Sequence, residues 1–495
     1  MGMLFIRTLC VISLILLARI GRALEEGEVR VPVPTSVETE ECLNCHGSIT
    51  PGIVSDWRGS RHAMTTPEAA LQKPPIERRI SAADVPEAHR GVVVGCFECH
   101  GQDPAAHPDA FDHFGYRVHV VVSPNDCKTC HPVEAGQYAG SKKAHAFENL
   151  DHNTLFMALI EAASGNLAVE GNRAVHIPPS ESTVNETCYG CHGSRVAVMG
   201  TKVVATDIGE VEIPDLSNWP NQGVGRINPD GSLGSCAACH PRHGFSIEVA
   251  REPYTCMQCH LEPDVPAWNV YQESKHGNIF LSQGDGWNWD RVPWRVGLDF
   301  RAPTCATCHN SLLTTPDGGV IAERTHDFGA RLWVRIFGLI YSHPQPKDGR
   351  TYTIQNADGL PLPTTFSGEL ASGDLIGGEE QERRRGAMER ICRSCHASDW
   401  VEGHFARMDA TIAETDRMTR SATELLTLAW DKGIADRSNP FDEVIERKWV
   451  EQWLFYANSI RYASAMSGPD YATFKNGWWQ SNRILREMRE WLEEH

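Results

Sequence analysis

The 495 residues carry 64 acidic against 46 basic side chains, a formal net charge of -18. A surface this acidic repels a phosphate backbone, so nucleic acid is excluded as a partner, and a basic or quinol-linked redox protein suits the charge better. The 17 cysteines and 22 histidines are the compositional excess that requires a chemical explanation.

The chain opens MGMLFIRTLCVISLILLARIGRALEEGE. Basic Arg7, an apolar run from Leu9 to Ala18 and a small-residue site ending at Ala23 make residues 1–23 a secretory signal peptide, too short and wrongly flanked for a membrane span. Thr8 and Leu9 do not fit the small residues that precede a lipid-modified cysteine, so Cys10 is not read as an anchor. No later segment is apolar for long enough to cross a bilayer. The expected destination is the periplasm or the exterior, where disulfides and covalent haem are both chemically accessible.

From there the pattern CxxCH recurs eight times: Cys42, Cys45 and His46; Cys96, Cys99 and His100; Cys127, Cys130 and His131; Cys188, Cys191 and His192; Cys236, Cys239 and His240; Cys256, Cys259 and His260; Cys305, Cys308 and His309; Cys392, Cys395 and His396. In an exported protein this is the attachment signature of c-type haem, with two thioethers to the vinyl groups and the histidine as proximal iron ligand. Zinc accepts cysteine pairs but does not require a histidine directly after every second cysteine. Disulfides across two intervening residues close very small loops and leave the invariable histidine unexplained. The cofactors read from the sequence are therefore eight covalently attached c-type haems. About 470 mature residues for eight haems leave little chain per cofactor, so the haems must supply much of the apolar core.

A second repeat rides on the first. DWRGSRH follows the first motif, YAGSKKAH the third and YQESKH the sixth, each placing an aromatic, a serine and a histidine where a short helix can turn back towards an iron. Eight of the 22 histidines follow cysteine pairs and His495 is terminal, which leaves 13. The expected distal ligands are His62, His119, His145, His243, His276, His326 and His404, with His89, His107, His113, His152, His176 and His343 in reserve.

After His404 the character changes. Met408 to Ala435 reads as a helix. A second starts near Pro440 with Ile445, Trp449, Trp453, Tyr456 and Ile460 at helical spacing, and a third follows Tyr471 with Phe474, Trp478, Leu485, Met488 and Leu492. The fold class is thus mainly α: a multihaem cytochrome c with an irregular haem-packing N-terminal region (24–404) and a C-terminal helical bundle (405–495) that is haem-free. The aromatic stripes are read as packing that also serves subunit contacts, with Trp449, Trp453 and Trp478 expected at the interface of a homotrimer.

Taken together, the eight motifs with CHPRHGFS, YQESKHG, APTCATCHN, THDFGARLWVR, SDWVEGHF, NPFDEVIE and MSGPDY resemble the hydroxylamine oxidoreductase family of octahaem cytochromes c from about residue 40 onwards. The resemblance implies a catalytic fourth haem, here at Cys188, Cys191 and His192, that is five-coordinate, with the other seven as an electron relay. It also implies a trimer in which a late tyrosine reaches a neighbour's catalytic haem and is linked to it; Tyr471 in GPDY is the best match, with Tyr462 close by. Hydroxylamine-oxidising members have a loop resembling GPDHP, whose Asp and His manage protons. This chain reads EPDVP, keeping Asp264 but placing Val265 where the histidine stands. Oxidation of hydroxylamine releases a proton with each electron, so this departure favours the reductive direction on nitrite or hydroxylamine. The segment starting RLWVRIFGLIYSHPQP also looks like the reductive branch. The implied enzyme is a multi-electron oxidoreductase on hydroxylamine, nitric oxide or nitrite. Its redox partner would be a cytochrome c or a quinol-linked cytochrome. The alternative is a non-catalytic electron conduit in which all eight irons are six-coordinate.

Overall fold

The computed structural model describes residues 33–206 and 209–495; the signal-peptide reading and Cys10 lie outside them. Short helices joined by irregular connections dominate, consistent with a mainly-α multihaem cytochrome. Several motifs fold as a single helical turn, as in Cys96–His100, Cys188–His192 and Cys305–His309. The spacing explains this, because positions three apart share a helix face and the residue that follows turns its ring beneath them. Caps hold these turns where the sequence supplies them: Glu98 accepts from the Gly95 amide at 2.9 Å, and Asp126 accepts from the Ser123 amide at 2.7 Å.

Strands occur as small ladders. Ala110–His113 pairs with Tyr116–His119, Asn166–Glu170 with Arg173–Ile177, and Val198–Thr206 with Gly209–Leu216, all antiparallel. The last two hairpins stand out from the body and expose Leu167, Val169, Met199 and Val203. Gly171, at φ 63°, opens the two-residue turn of the first of them, a left-handed conformation that glycine adopts without strain. Val334–Arg335 pairs with His343–Pro344 and sets Arg335 opposite His343.

The C-terminal helices are Ser398–Asp431, Val444–Val450 continuing through a π-helical turn Glu451–Ala457 into Asn458–Met466, and Trp478–Glu494. The expected domain boundary at 404/405 falls inside the 34-residue first helix, so haem region and helical region are joined by continuous hydrogen-bonded backbone. The largest apolar cluster gathers Leu426, Trp430, Ile445, Trp449, Trp453, Ile484 and Met488 around Ile340, Tyr341, Leu362 and Phe366 from the preceding segment. Trp449 and Trp453 are therefore interior residues and cannot line a subunit contact; Trp449 donates to Thr423 at 2.9 Å inside the core. The exposed aromatics at this end are Phe474 (75%) and Trp479 (62%), while Trp478 is half-buried. Trp449→Ala is expected to destabilise this core by about 3–5 kcal/mol through cavity formation, read as a lowered denaturant midpoint at unchanged slope.

Arg461 is buried and ties the preceding segment to the helices. It donates to Asp416 at 2.5 Å and to the Ile340 carbonyl at 3.0 Å, so its charge is paired where water is absent.

Candidate haem sites and distal pocket

The sixteen motif cysteines are joined in no disulfide among the described residues, which leaves them available for thioethers. The proximal rings are oriented from behind. His100 Nδ1 donates to the His119 carbonyl at 2.8 Å, His192 to Ala146 at 3.3 Å, His240 to Ser246 at 3.2 Å and His309 to Phe328 at 3.4 Å, while His46 Nδ1 lies 3.0 Å from the Thr50 hydroxyl. A carbonyl only accepts, so these bonds place the proton on Nδ1 and leave the Nε2 lone pair for a metal. Burial holds His100, His192 and His309 down at about 4, which keeps them neutral as ligation requires.

Facing rings supply a second test. Two metal–imidazole bonds of about 2 Å each and two half-rings add to roughly 6 Å. His46 and His113 stand 6.2 Å apart, His62 and His131 6.4 Å, and His276 and His396 6.0 Å, centroid to centroid. The donor set and spacing fit bis-histidine haem at the first, third and eighth motifs.

The other expected distal ligands are placed differently. His119 lies 6.0 Å from His100, but on the Nδ1 side, since its own carbonyl receives that proton. It stacks on His107 at 3.6 Å, and His107 lies 3.1 Å from Asp126, so both rings belong to a buried polar cluster behind the second motif. His243 is the other histidine in the electrostatic surroundings of His100. His326 shares those of His240, and burial pushes it down to about 4. His145 Nδ1 bonds Glu148 at 2.9 Å, which leaves Nε2 open, and its ring faces no proximal ring among the described residues. His404 stacks on Trp400, which itself stacks on His396, so an indole separates the two histidines. Among the reserves, His113 faces His46, His89 ends the short helix Glu87–Arg90, His152 packs on Tyr352, His176 sits 3.4 Å from Glu161, and His343 is buried beside Arg335.

Thiols from different motifs approach one another, which places the attachment points of successive haems side by side. Cys42 meets Cys96, Cys127 meets Cys236, Cys256 meets Cys305, and Cys191 meets Cys259. Cys99 neighbours Cys130, Cys239 neighbours Cys256, and Cys308 neighbours Cys392. The motifs therefore follow the order one, two, three, five, six, seven, eight, and the fourth joins through the sixth.

Beside the fourth motif lies a polar pocket. Asp264 is in the electrostatic surroundings of Cys191 and of Tyr462. Asp264 keeps an exposed edge, and the protein packed about its carboxyl raises it above its ordinary value by desolvation. Its backbone carbonyl accepts from Asn458 at 3.0 Å, so the helix that begins just after the π turn fixes this loop. Tyr462 is buried and stacks on Phe337 at 5.5 Å, and its hydroxyl has no hydrogen-bond partner among the described residues. Arg335 lies over the same Phe337 ring at 6.0 Å. Burial pushes its guanidinium down to about 10, with Tyr462 opposing, and no carboxylate pairs with it among the described residues. Burial and the neighbouring Arg335 likewise push Lys142 down to about 7. Arg335 and Lys142 thus stand together, with Asp264 on the Tyr462 side and Asp327 beside Lys142.

Tyr471 is 7% exposed and packs with Val265, Val270 and Tyr462 of its own chain; its hydroxyl bonds Glu262. This sets it against the Asp264 loop of its own chain. Tyr462 and Arg335 are the pocket residues that sequence reasoning did not assign. Tyr462 was legible only as the second late tyrosine, and Arg335 only as part of RLWVRIFG.

Comparison with known proteins agrees with this geometry. The family described as "Seven times multi-haem cytochrome CxxCH" matches residues 230–315, and "Cytochrome c554 and c-prime" matches 126–210. A probable nitrite reductase-hydroxylamine oxidoreductase fusion protein of Kuenenia stuttgartiensis is 28% identical over 286 residues, 54% of this chain and 25% of that protein. This chain therefore spans about a quarter of that curated relative. A solved hypothetical multiheme protein shares 44% identity at a TM-score of 0.87, covering 93% of this chain and 96% of that one. The Kuenenia stuttgartiensis reducing HAO-like protein complex shares the fold, with 17% identity, a TM-score of 0.58, and 92% and 84% coverage. With eight CxxCH motifs, Nδ1-anchored histidines and a 44% identical multiheme relative, the chain belongs to the multihaem cytochromes c.

Proposed function

We propose that the protein carries eight covalent haems and reduces small nitrogen oxides or hydroxylamine at a five-coordinate fourth haem, with the other seven conducting electrons. The observation that carries this reading is the group beside the fourth motif: a buried, unpartnered Tyr462 hydroxyl with the Arg335 guanidinium and the Asp264 carboxyl in its electrostatic surroundings. A conduit has no use for such a group, and an unpartnered buried hydroxyl costs stability where it stands.

The haem held by Cys188, Cys191 and His192 would supply the iron that binds nitrogen and the electrons that reduce it. The chain supplies the rest. Arg335 attracts an anion such as nitrite into the cavity, Tyr462 offers an O–H directed at bound oxygen, and Asp264 delivers protons to the departing oxygen. Val265 packs with Tyr462 and Tyr471 and can neither accept nor donate, so the pocket lacks the second proton acceptor that oxidation needs. Export by residues 1–23 to the periplasm or exterior and a cytochrome c or quinol-linked electron donor belong to the same proposal. So does a homotrimer, with Phe474 and Trp479 in place of Trp449 and Trp453 as available contact residues. No described helix is long and apolar enough to cross a membrane.

The test is an intact mass together with the ferric electron paramagnetic resonance spectrum. Eight haems with one high-spin centre among low-spin ones are expected, and nitrite or hydroxylamine reduction should outpace hydroxylamine oxidation under matched driving force. Eight low-spin haems would leave only the conduit, and faster oxidation would reverse the direction.

A further inference from the structure

The second repeat has three copies, and the structure aligns them by their serine. In Trp57–Ser60, Tyr138–Ser141 and Tyr271–Ser274 the serine amide donates to the carbonyl of the aromatic three residues earlier, at 2.9, 2.9 and 3.0 Å. The residue two positions after the serine then points at a proximal histidine. In the first copy it is His62, facing His131, and in the third it is His276, facing His396. In the second copy the same position holds Lys143, and its Nζ lies 2.7 Å from Nε2 of His260.

We propose that Lys143 is the sixth ligand of the haem at Cys256, Cys259 and His260, giving that one centre a histidine–amine pair. Nε2 is the nitrogen that proximal histidines turn to iron, and the amine that meets it directly at 2.7 Å need withdraw only to the roughly 4 Å that two metal–nitrogen bonds span, a movement within the reach of a lysine stem. No histidine ring faces His260 among the described residues; its ring neighbour is Phe337 at 6.0 Å. The histidine of the same copy, His145, bonds Glu148 through Nδ1 and faces no proximal ring among the described residues. Lys143 has no carboxylate partner among the described residues, and its other close neighbour is the Phe328 ring at 6.0 Å. An ammonium without a counter-ion in this setting is poorly placed, whereas a neutral amine bonded to a Lewis acid is satisfied. On ligation the nitrogen lone pair forms the bond to iron and the ammonium proton leaves to solvent, with no change in oxidation state. The proposal rests on haem attachment at the sixth motif and not on the nitrogen chemistry proposed above.

The experiment is near-infrared magnetic circular dichroism and electron paramagnetic resonance of the ferric holoprotein, with haem counted per chain. The wild type should show one low-spin centre with the charge-transfer band of a histidine–amine pair, displaced from that of bis-histidine centres. Lys143→His should abolish that band and add one bis-histidine centre, Lys143→Met should bring in a sulfur-to-iron band, and Lys143→Ala should add one high-spin haem. Absence of the amine band from the wild type overturns the assignment even if a variant fails to load haem. An unchanged spin-state census in fully loaded Lys143→Ala does the same. The high-spin signal expected of the fourth haem is present or absent in the wild type independently, so the two readings fail separately.

Discussion

Asp264→Asn lowers reduction of both nitrite and hydroxylamine by about 10²-fold or more, the usual range for loss of a positioned general acid. The substitution keeps the size of the side chain and leaves untouched the backbone carbonyl that Asn458 holds, so the loop should stay in place. The pH profile adds a sign. Desolvation raises the carboxyl's pKa, so the wild-type donor is fully loaded at the acid end, and its contribution falls as pH rises through the folded value. The Asn variant should lose that inflection while retaining its haem spectrum. Equal inflections in the two proteins would remove Asp264 from the proton path.

Arg335→Met separates charge from shape. The methionine keeps an unbranched stem over Phe337, while the guanidinium that lies 6.0 Å from that ring is gone. A charge-assisted contact contributes about 1.5–3 kcal/mol, which is a rise of roughly 10- to 100-fold in KM for nitrite. Hydroxylamine is uncharged at neutral pH, and its KM should move by only about 2- to 10-fold on the same reasoning, less than that for nitrite in the same preparation, since only a neutral hydrogen bond is lost. Matched losses for the two substrates would assign Arg335 to holding the pocket together. Steady-state kinetics with a reduced dye makes the comparison in one preparation.

The chemistry-bearing part of this molecule was legible because haem attachment is written in contiguous residues. The CxxCH motif needs no tertiary information, and the late helices announce themselves by period, with Trp449, Ile445 and Trp453 turning to one core. Distal ligation is different, since it joins residues far apart in the chain and depends on which side of a ring is presented. His119 and His113 illustrate the limit. Both lie on one short hairpin in which Ala110 pairs with His119, and only the backbone bond to His100 shows that His119 stands behind its ring. Lys143 was overlooked because the repeat was read by its histidines; aligned on Ser60, Ser141 and Ser274 the same letters select the lysine. The hairpin Asn166–Ile177 was also readable, with Gly171 and Asn172 forming a two-residue turn between alternating strands. Helical expectations for the whole chain left it unassigned.

The distribution of side-chain packing also fixes an order of biogenesis. The stretch from Ile340 to Leu492 supplies nearly all of one contiguous apolar interior, to which the earlier helix adds Leu155, Phe156 and Leu159. Around the early motifs the clusters are as small as Ile80, Ala82 and Val85, or Phe147, Tyr189 and Ile227. In a chain delivered N-terminus first, the segments that arrive earliest cannot close by themselves, because their interior is porphyrin. Such segments would remain open, with the thiols of Cys42 to Cys308 accessible, until cofactors were attached. The C-terminal helices arrive last and cap a body that is already furnished. An export defect or a shortage of haem would therefore leave a protease-sensitive leading portion on a durable tail, and turnover would begin at the first motifs.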